Sequence, residues 1–271
     1  TGNQSNSWLG FSVSAAGDVN GDGFGDVLVG VPYYDQGSYL SFGLAQAYYG
    51  SASSLSTNAA WTADGDQASS YFARSAATAG DLNGDGYSDV VLGAPYYDSG
   101  EADEGKVFVY YGSAAGLSTS ANWTVEGNLA NAALGLAVGS AGDVNGDGYA
   151  DLLIGAPTYT DDLASQGRIF AYYGAASGLS ESPSWWAEGD GEGGKFGYSV
   201  ASAGDVNGDG FDDVIVGAVE YTHDQTKEGR AYVYHGSPTG LETVPAWYAE
   251  SDEANAKYGE SVNTAGDVNG D

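Results

Sequence analysis

The chain has 271 residues, with 37 Asp plus Glu against 7 Lys plus Arg and a formal charge of -30. That balance argues against nucleic acid as a partner, because phosphates are met by clustered Lys and Arg, and against docking on an anionic membrane through a basic patch. The absence of Cys excludes disulfides, thiolate metal sites and a cysteine nucleophile.

Apolar residues make up 42% of the chain, with 21 Tyr and 6 Trp, enough material for a core. No apolar run approaches the ~18 residues of a membrane span and no signal peptide is recognisable, so no membrane insertion is expected. The chain also lacks Met, which suggests a processed product or a piece of something longer. Gly is abundant at 44 residues while Pro is only 6, the balance expected of many tight turns between short strands.

Internal repetition organises everything else. The string Gly-Asp-x-Asn-Gly-Asp places its first Asp at Asp18, Asp81, Asp143, Asp205 and Asp267, at intervals of 63, 62, 62 and 62 residues. Trp61, Trp123, Trp185 and Trp247 keep a step of 62, and so do Gly50, Gly112, Gly174 and Gly236. Three ladders with one pitch define repeats at about 8–70, 71–132, 133–194 and 195–256, with a partial fifth at 257–271.

Each repeat reads as four short strands without a helix. The first runs through Phe11–Ser14, or Tyr198–Ala201 in the fourth unit, and enters the Asp-rich loop. The second is a compact apolar run, 26–30, 89–93, 151–155 or 213–217, suited to burial on both faces. The third is aromatic and alternating, as in Lys106–Tyr111 and Arg230–His235, and a Gly-Ser-x-x-Gly-Leu turn follows it. The fourth carries the ladder Trp, as in 60–63 and 122–125. One such sheet cannot bury both faces alone, so the sheets are expected to stack radially as the blades of an all-β propeller. Kelch and WD signatures are missing, and parallel β-helix coils are much shorter.

The Asp-rich loop Asp18-Val19-Asn20-Gly21-Asp22-Gly23-Phe24-Gly25-Asp26 puts oxygen side chains at positions 1, 3, 5 and 9. Gly at position 6 permits a sharp turn, and the position 7 residue can offer its carbonyl. This is a donor set for a hard divalent cation, with oxygen number and flexibility favouring Ca²⁺ over Mg²⁺. The other candidate ligand sets are Asp81, Asn83, Asp85, the Tyr87 carbonyl and Asp89; Asp143, Asn145, Asp147, the Tyr149 carbonyl and Asp151; and Asp205, Asn207, Asp209, the Phe211 carbonyl and Asp213. Asp267, Asn269 and Asp271 would begin a fifth. Position 12 is Val29, Leu92, Ile154 or Val216 and never Glu, and a strand follows, so an EF-hand is rejected. A metal-free Asx-rich turn is the alternative reading, disfavoured by three carboxylates in nine residues that repel without a cation.

With these residues in view, each repeat resembles the FG-GAP repeat of integrin α-subunit heads and their prokaryotic relatives. Phe196-Gly197 is intact, Leu134-Gly135 and Tyr258-Gly259 are close variants, and Phe72-Ala73 lacks the Gly. Gly93-Ala94-Pro95 and Gly155-Ala156-Pro157 are intact, Gly30-Val31-Pro32 is near, and Gly217-Ala218-Val219 loses the Pro. The resemblance implies one structural Ca²⁺ per complete blade in the hairpin between its first and second strands. It also implies a ring of seven blades, about 430 residues at this pitch. The chain is therefore expected to be part of a ring or an open arc completed by other chains, with self-association through the open end as one outcome.

The connections after the second strands lie opposite the Asp-rich hairpins: 33–35, 96–98, 158–162 and 220–224. In integrin heads that face contributes to ligand binding, so a protein or glycan ligand is expected there, although the repeated Tyr residues are better read as scaffold. Non-repeating stretches 36–42, 99–104 and 223–228 are the candidates for specificity. The ladder Trp residues are read as outer-strand packing, with Trp8 and Trp186 breaking the ladder. His223 and His235 carry little weight, and neither a catalytic triad nor a carboxylate pair stands out. The expected function is non-catalytic, extracellular or cell-surface adhesion or assembly. Alternatives are a glycan-binding lectin, the non-catalytic propeller of a larger secreted hydrolase, or a surface-filament subunit.

Overall fold

The structure is a computed structural model that describes residues 4–38 and 40–266. Sixteen strands form four antiparallel sheets, each built from consecutive strands in simple up-and-down order. The first blade comprises β1 (Ser12–Gly17), β2 (Asp26–Val31), β3 (Leu44–Tyr48) and β4 (Trp61–Asp64). The second comprises β5 (Ser75–Gly80), β6 (Asp89–Ala94), β7 (Lys106–Tyr110) and β8 (Trp123–Glu126). The third holds β9 (Ala137–Gly142), β10 (Asp151–Ala156), β11 (Arg168–Tyr172) and β12 (Trp185–Glu188). The fourth holds β13 (Phe196–Gly204), β14 (Asp213–Ala218), β15 (Arg230–Tyr234) and β16 (Trp247–Glu250). No helix occurs among the described residues. This is the blade architecture of an all-β propeller.

The first strands run three residues further than the sequence suggests, to Gly17 in the first blade. Just before each Asp-rich loop the pairing slips by a residue, between Ala15 and Gly17, Thr78 and Gly80, and Ser202 and Gly204, with the same irregularity at Asp151/Leu152. A bulge there bends the strand and re-aims the chain into the loop.

The core lies between the sheets. One apolar cluster joins Leu28, Ala47 and Trp61 of the first blade to Val90, Leu92 and Tyr110 of the second; two further clusters join the second blade to the third and the third to the fourth. Alternation along a strand sends successive residues to opposite neighbours, so Leu92 faces the first blade and Val91 the third. β6 and β10 are buried along their whole length, as expected of strands covered on both faces. β2 and β14 are not: Val27, Val29 and Ile215 remain partly accessible, because each belongs to an outermost described blade.

The ladder Trp residues secure neighbouring sheets. Trp61 meets Tyr110 edge-on at 5.0 Å and donates its indole N–H to the Ser118 carbonyl at 2.8 Å. Trp123 does the same with Tyr172 and Ser180, and Trp185 packs on Tyr234. The packing reading therefore holds for three of the four. Trp247 departs from it and is 47% exposed, since no further sheet covers it among the described residues.

The two family motifs turn out to be halves of one contact. Gly30, Gly93, Gly155 and Gly217 each lie against the carbonyl of residue 73, 135, 197 or 259 in the following segment, where an added Cβ would collide. Ser12, Ser75 and Ser199 donate their hydroxyls to the carbonyls of residues 73, 135 and 259 at 3.0, 2.7 and 2.8 Å. The variant Ala73 keeps the geometry of the glycines it replaces, with φ 61, in the left-handed region that costs an L-residue about 1 kcal/mol.

Candidate metal centres

Each Asp-rich loop is a turn wound around its first carboxylate. In the first blade, Asp18 Oδ1 accepts the Asp22 N–H at 3.1 Å and Oδ2 accepts that of Gly23 at 2.8 Å. Asn20 Oδ1 also accepts from Asp22 N at 3.0 Å, and Asp22 Oδ1 from Phe24 N at 3.0 Å. The other loops repeat the pattern around Asp81, Asp143 and Asp205. Backbone amides led by that of Gly210 hold the Asp205 carboxyl below its usual range. These bonds curl the chain so that positions 1, 3 and 5 share one concave turn.

Position 9 behaves differently. Asp26, Asp89, Asp151 and Asp213 are buried, and each spans two segments with its two oxygens. Asp26 Oδ2 accepts from Val19 N at 2.9 Å, closing the loop, and Oδ1 from Gly50 N at 2.8 Å, tying the loop to the end of the third strand. Asp89, Asp151 and Asp213 repeat both bonds, to Gly112, Gly174 and Gly236. The glycine ladder of the sequence is thus the set of amides that receive the ninth carboxylate. Burial raises the pKa of these carboxyls, to about 7 for Asp89 and Asp151, with smaller upward contributions from Asp85 and Asp81 or Asp147 and Asp143. Asp26 and Asp213 are also raised by burial.

The donors fit a hard cation. Three carboxylates, a side-chain amide oxygen and a position 7 carbonyl are the donor types of a Ca²⁺ site, and a divalent ion would favour the ionised form that burial and mutual repulsion disfavour. Positions 1, 3 and 5 of all four complete loops share one turn, whereas the ninth carboxylate is directed to backbone amides and the three carboxylates of a loop do not converge within 4.8 Å of one another; Asp267, Asn269 and Asp271 lie outside the described residues.

Sequence reasoning missed that the loops of successive blades are linked. Ser88 N donates to the Asp18 carbonyl at 3.0 Å, Ala150 N to that of Asp81 at 3.0 Å, and Asp212 N to that of Asp143 at 3.1 Å. A second series runs from Ser113, Ala175 and Ser237 to the carbonyls of Val19, Leu82 and Val144. The side chain at position 7, considered only for its carbonyl, packs on the preceding loop. The rings of Tyr87, Tyr149 and Phe211 lie over Gly21, Gly84 and Gly146, where an added Cβ would come within 2.5–2.6 Å of the ring. The signal was the aromatic at every position 7. Phe24 covers no preceding loop among the described residues and is 39% exposed.

At the other end of the sheets, the repeated Tyr residues serve the scaffold. Tyr97, Tyr159 and Tyr221 lie beneath Lys106 Nζ at 4.7 Å, the Arg168 guanidinium at 3.9 Å and the Arg230 guanidinium at 3.8 Å. Each cation also pairs with a fourth-strand acid: Glu126, Glu188 or Glu250. Two proposed specificity residues are corrected. Glu104 and Glu228 are 1% and 0% exposed, buried beneath their loops and accepting the N–H of Ser99 and of His223, so neither presents its side chain on the surface to a protein or glycan.

FG-GAP repeats match at residues 9–50, 72–110, 135–172 and 196–234, one in each blade. Integrin alpha-V of Gallus gallus is 35% identical over 221 residues, covering 78% of this chain and 20% of the relative. Integrin alpha-PS2 of Drosophila melanogaster is 32% identical over 262 residues, covering 91% and 17%. The chain therefore spans a fifth or less of the length of these relatives. A crystal structure of an exotype rhamnogalacturonan lyase superposes with a TM-score of 0.46 at 17% identity, covering 91% of this chain and 48% of the lyase, a likeness on which no functional argument rests. With an FG-GAP match in every blade and the two motifs of that name meeting at the blade junctions, the chain belongs to the FG-GAP repeat family.

Proposed function

We propose that this chain is a calcium-stabilised, non-catalytic propeller segment that works outside the cell in adhesion or surface assembly. The observation carrying this reading is the linked series of Asp-rich loops: an ion in one loop would stiffen the backbone that receives the next blade. If each site has a Kd of ~0.1 mM and meets ~1 mM calcium, linkage supplies about 1.4 kcal/mol per site. Four ions would take the formal charge from -30 to -22. Such affinities suit a compartment where calcium is plentiful, which supports an extracellular setting. Ligand contact is assigned to the face opposite the loops, where the repeats diverge in sequence. Beads coated with the chain should bind matrix proteins or glycans in calcium and release them in EDTA; absence of calcium-dependent binding across both panels would contradict adhesion.

A glycan-binding reading has its own support. A cleft of about 650 Å³ opens between the third and fourth blades, lined by Trp185, Trp186, Tyr232 and Asp190 among others. Trp186 is 52% exposed on the other face of the same strand, stacked on the Arg168 guanidinium at 4.5 Å, where the other blades carry Thr62, Thr124 and Tyr248. An exposed indole of this kind is suited to stacking on a sugar ring. Trp186→Ala should abolish glycan binding under this reading and leave protein binding intact.

A further inference from the structure

Beneath the loop that joins β14 to β15, the buried Glu228 has a carboxylate oxygen with no partner. Its counterparts one and two repeats earlier are Gln166 and Glu104. In the second blade both Glu104 oxygens are occupied, by Ser99 N at 2.6 Å and Asn128 N at 2.9 Å. In the third, Gln166 Oε1 accepts from Leu163 N at 2.8 Å. Glu228 Oε1 accepts from His223 N at 2.8 Å, but Oε2 is buried without a hydrogen bond among the described residues. A buried carboxylate oxygen left this way is costly, and such an exception calls for a missing partner.

The surroundings indicate what kind. One ligand atom each from His223, Glu228 and Glu250 lies within 4.8 Å of the others. His223 Nδ1 is 3.5 Å from Glu250 Oε1, while Glu250 Oε2 is occupied by Arg230 Nε at 3.0 Å and Nη2 at 2.7 Å. Asp224 Oδ2 stands 3.8 Å from the same imidazole nitrogen. Tetrahedral ligands at ~2.1 Å from a metal are about 3.4 Å apart, close to the His223–Glu250 spacing. His223 is more than half exposed and free to adjust, so the site has an entrance and one movable wall over a fixed floor.

We propose that His223, Glu228 and Glu250 form a Zn²⁺ site on the face opposite the Asp-rich loops. Imidazole nitrogen with two carboxylates is a borderline donor set that suits Zn²⁺ rather than the all-oxygen preference of Ca²⁺. Asp224 or water completes the tetrahedron. The ion would satisfy Glu228 and pin the 223–228 loop to the fourth strand, fixing the shape of one of the divergent loops. The site shares no residue with the Asp-rich hairpins.

The test is calorimetric titration of Zn²⁺ into the tag-free chain with calcium in excess, beside Glu228→Gln and His223→Ala. Gln166 occupies the corresponding place in the third blade, so Glu228→Gln is compatible with the fold, and His223 is a surface residue. The expected result is one high-affinity ion per chain, weakened at least tenfold in each variant, with Zn²⁺ raising the melting temperature of wild type alone. Co²⁺ should give visible absorption of a four-coordinate nitrogen–oxygen site that disappears in His223→Ala. Absence of Zn²⁺ binding, or equal binding by wild type and both variants, would overturn the assignment. Because the readout is the contrast between variants at constant calcium, failure here is distinguishable from failure of the calcium loops.

Discussion

The two ends of the sheets differ in kind. At the Asp-rich end the same bonds are made four times, with lengths agreeing within about 0.1 Å for the ninth carboxylate. At the opposite end the corresponding places diverge: Leu44, Lys106, Arg168 and Arg230 begin the third strands, and Phe42, Glu104, Gln166 and Glu228 lie just before them. Repetition marks the parts every blade needs to hold its neighbour. Divergence marks the parts free to acquire a ligand, so scaffold and recognition are separated by the length of a strand.

Substitutions at the two ends of one blade should break or sharpen that contrast. The largest effect is expected from Asp151→Ala, which leaves the buried amides of Val144 and Gly174 without their acceptor. A loss of about 3–5 kcal/mol in urea unfolding is anticipated, against about 1 kcal/mol for Gln166→Ala at the far end. Equal losses would abolish the distinction. Next is a glycine pair with nearly the same backbone. Gly146, φ +73, lies under Phe211, whereas Gly208, φ +75, has nothing within 4 Å of an added Cβ. Gly146→Ala should cost about 3 kcal/mol and Gly208→Ala about 1, the difference being the blade-to-blade contact. Ala73→Gly should do the reverse and stabilise by about 1 kcal/mol, measured the same way, because residue 73 already has φ 61.

The smallest effect belongs to the divergent face. Lys195 at 2.8 Å, and then Lys227 at 2.9 Å, hold the Glu220 carboxyl below its usual 4.5. A depressed folded pKa contributes stability above the unfolded value and loses it as pH falls through the folded one. Glu220→Gln should therefore cost under about 1 kcal/mol at pH 7, and the difference from wild type should shrink in unfolding curves as the pH is lowered through the depressed folded pKa.

The strands, the four sheets and the Asp-rich turns were legible because each recurs at one pitch and each strand announces itself within a few residues. Trp61, Trp123 and Trp185 were legible as packing for the same reason. What stayed hidden depends on residues far apart in the chain. The ring of Phe211 on Gly146, the Gly50 amide on Asp26 and the grouping of His223 with Glu250 are tertiary contacts, and local pattern carries no direction for them. Glu104 and Glu228 read as loop acids because nothing in their neighbours reveals that the loop folds over them. Trp247 read as packing because a ladder does not show which rung is left uncovered among the described residues.

On the proposed reading, cations in the linked hairpins hold the blades together. Thermal melting of the chelated chain, followed by calcium titration with counting of bound ions, tests it most directly. About four ions per chain should bind, and a total near 6 kcal/mol should raise the melting temperature by roughly 10–20 °C. An unchanged melt in EDTA, with no calcium retained on dialysis, would contradict it.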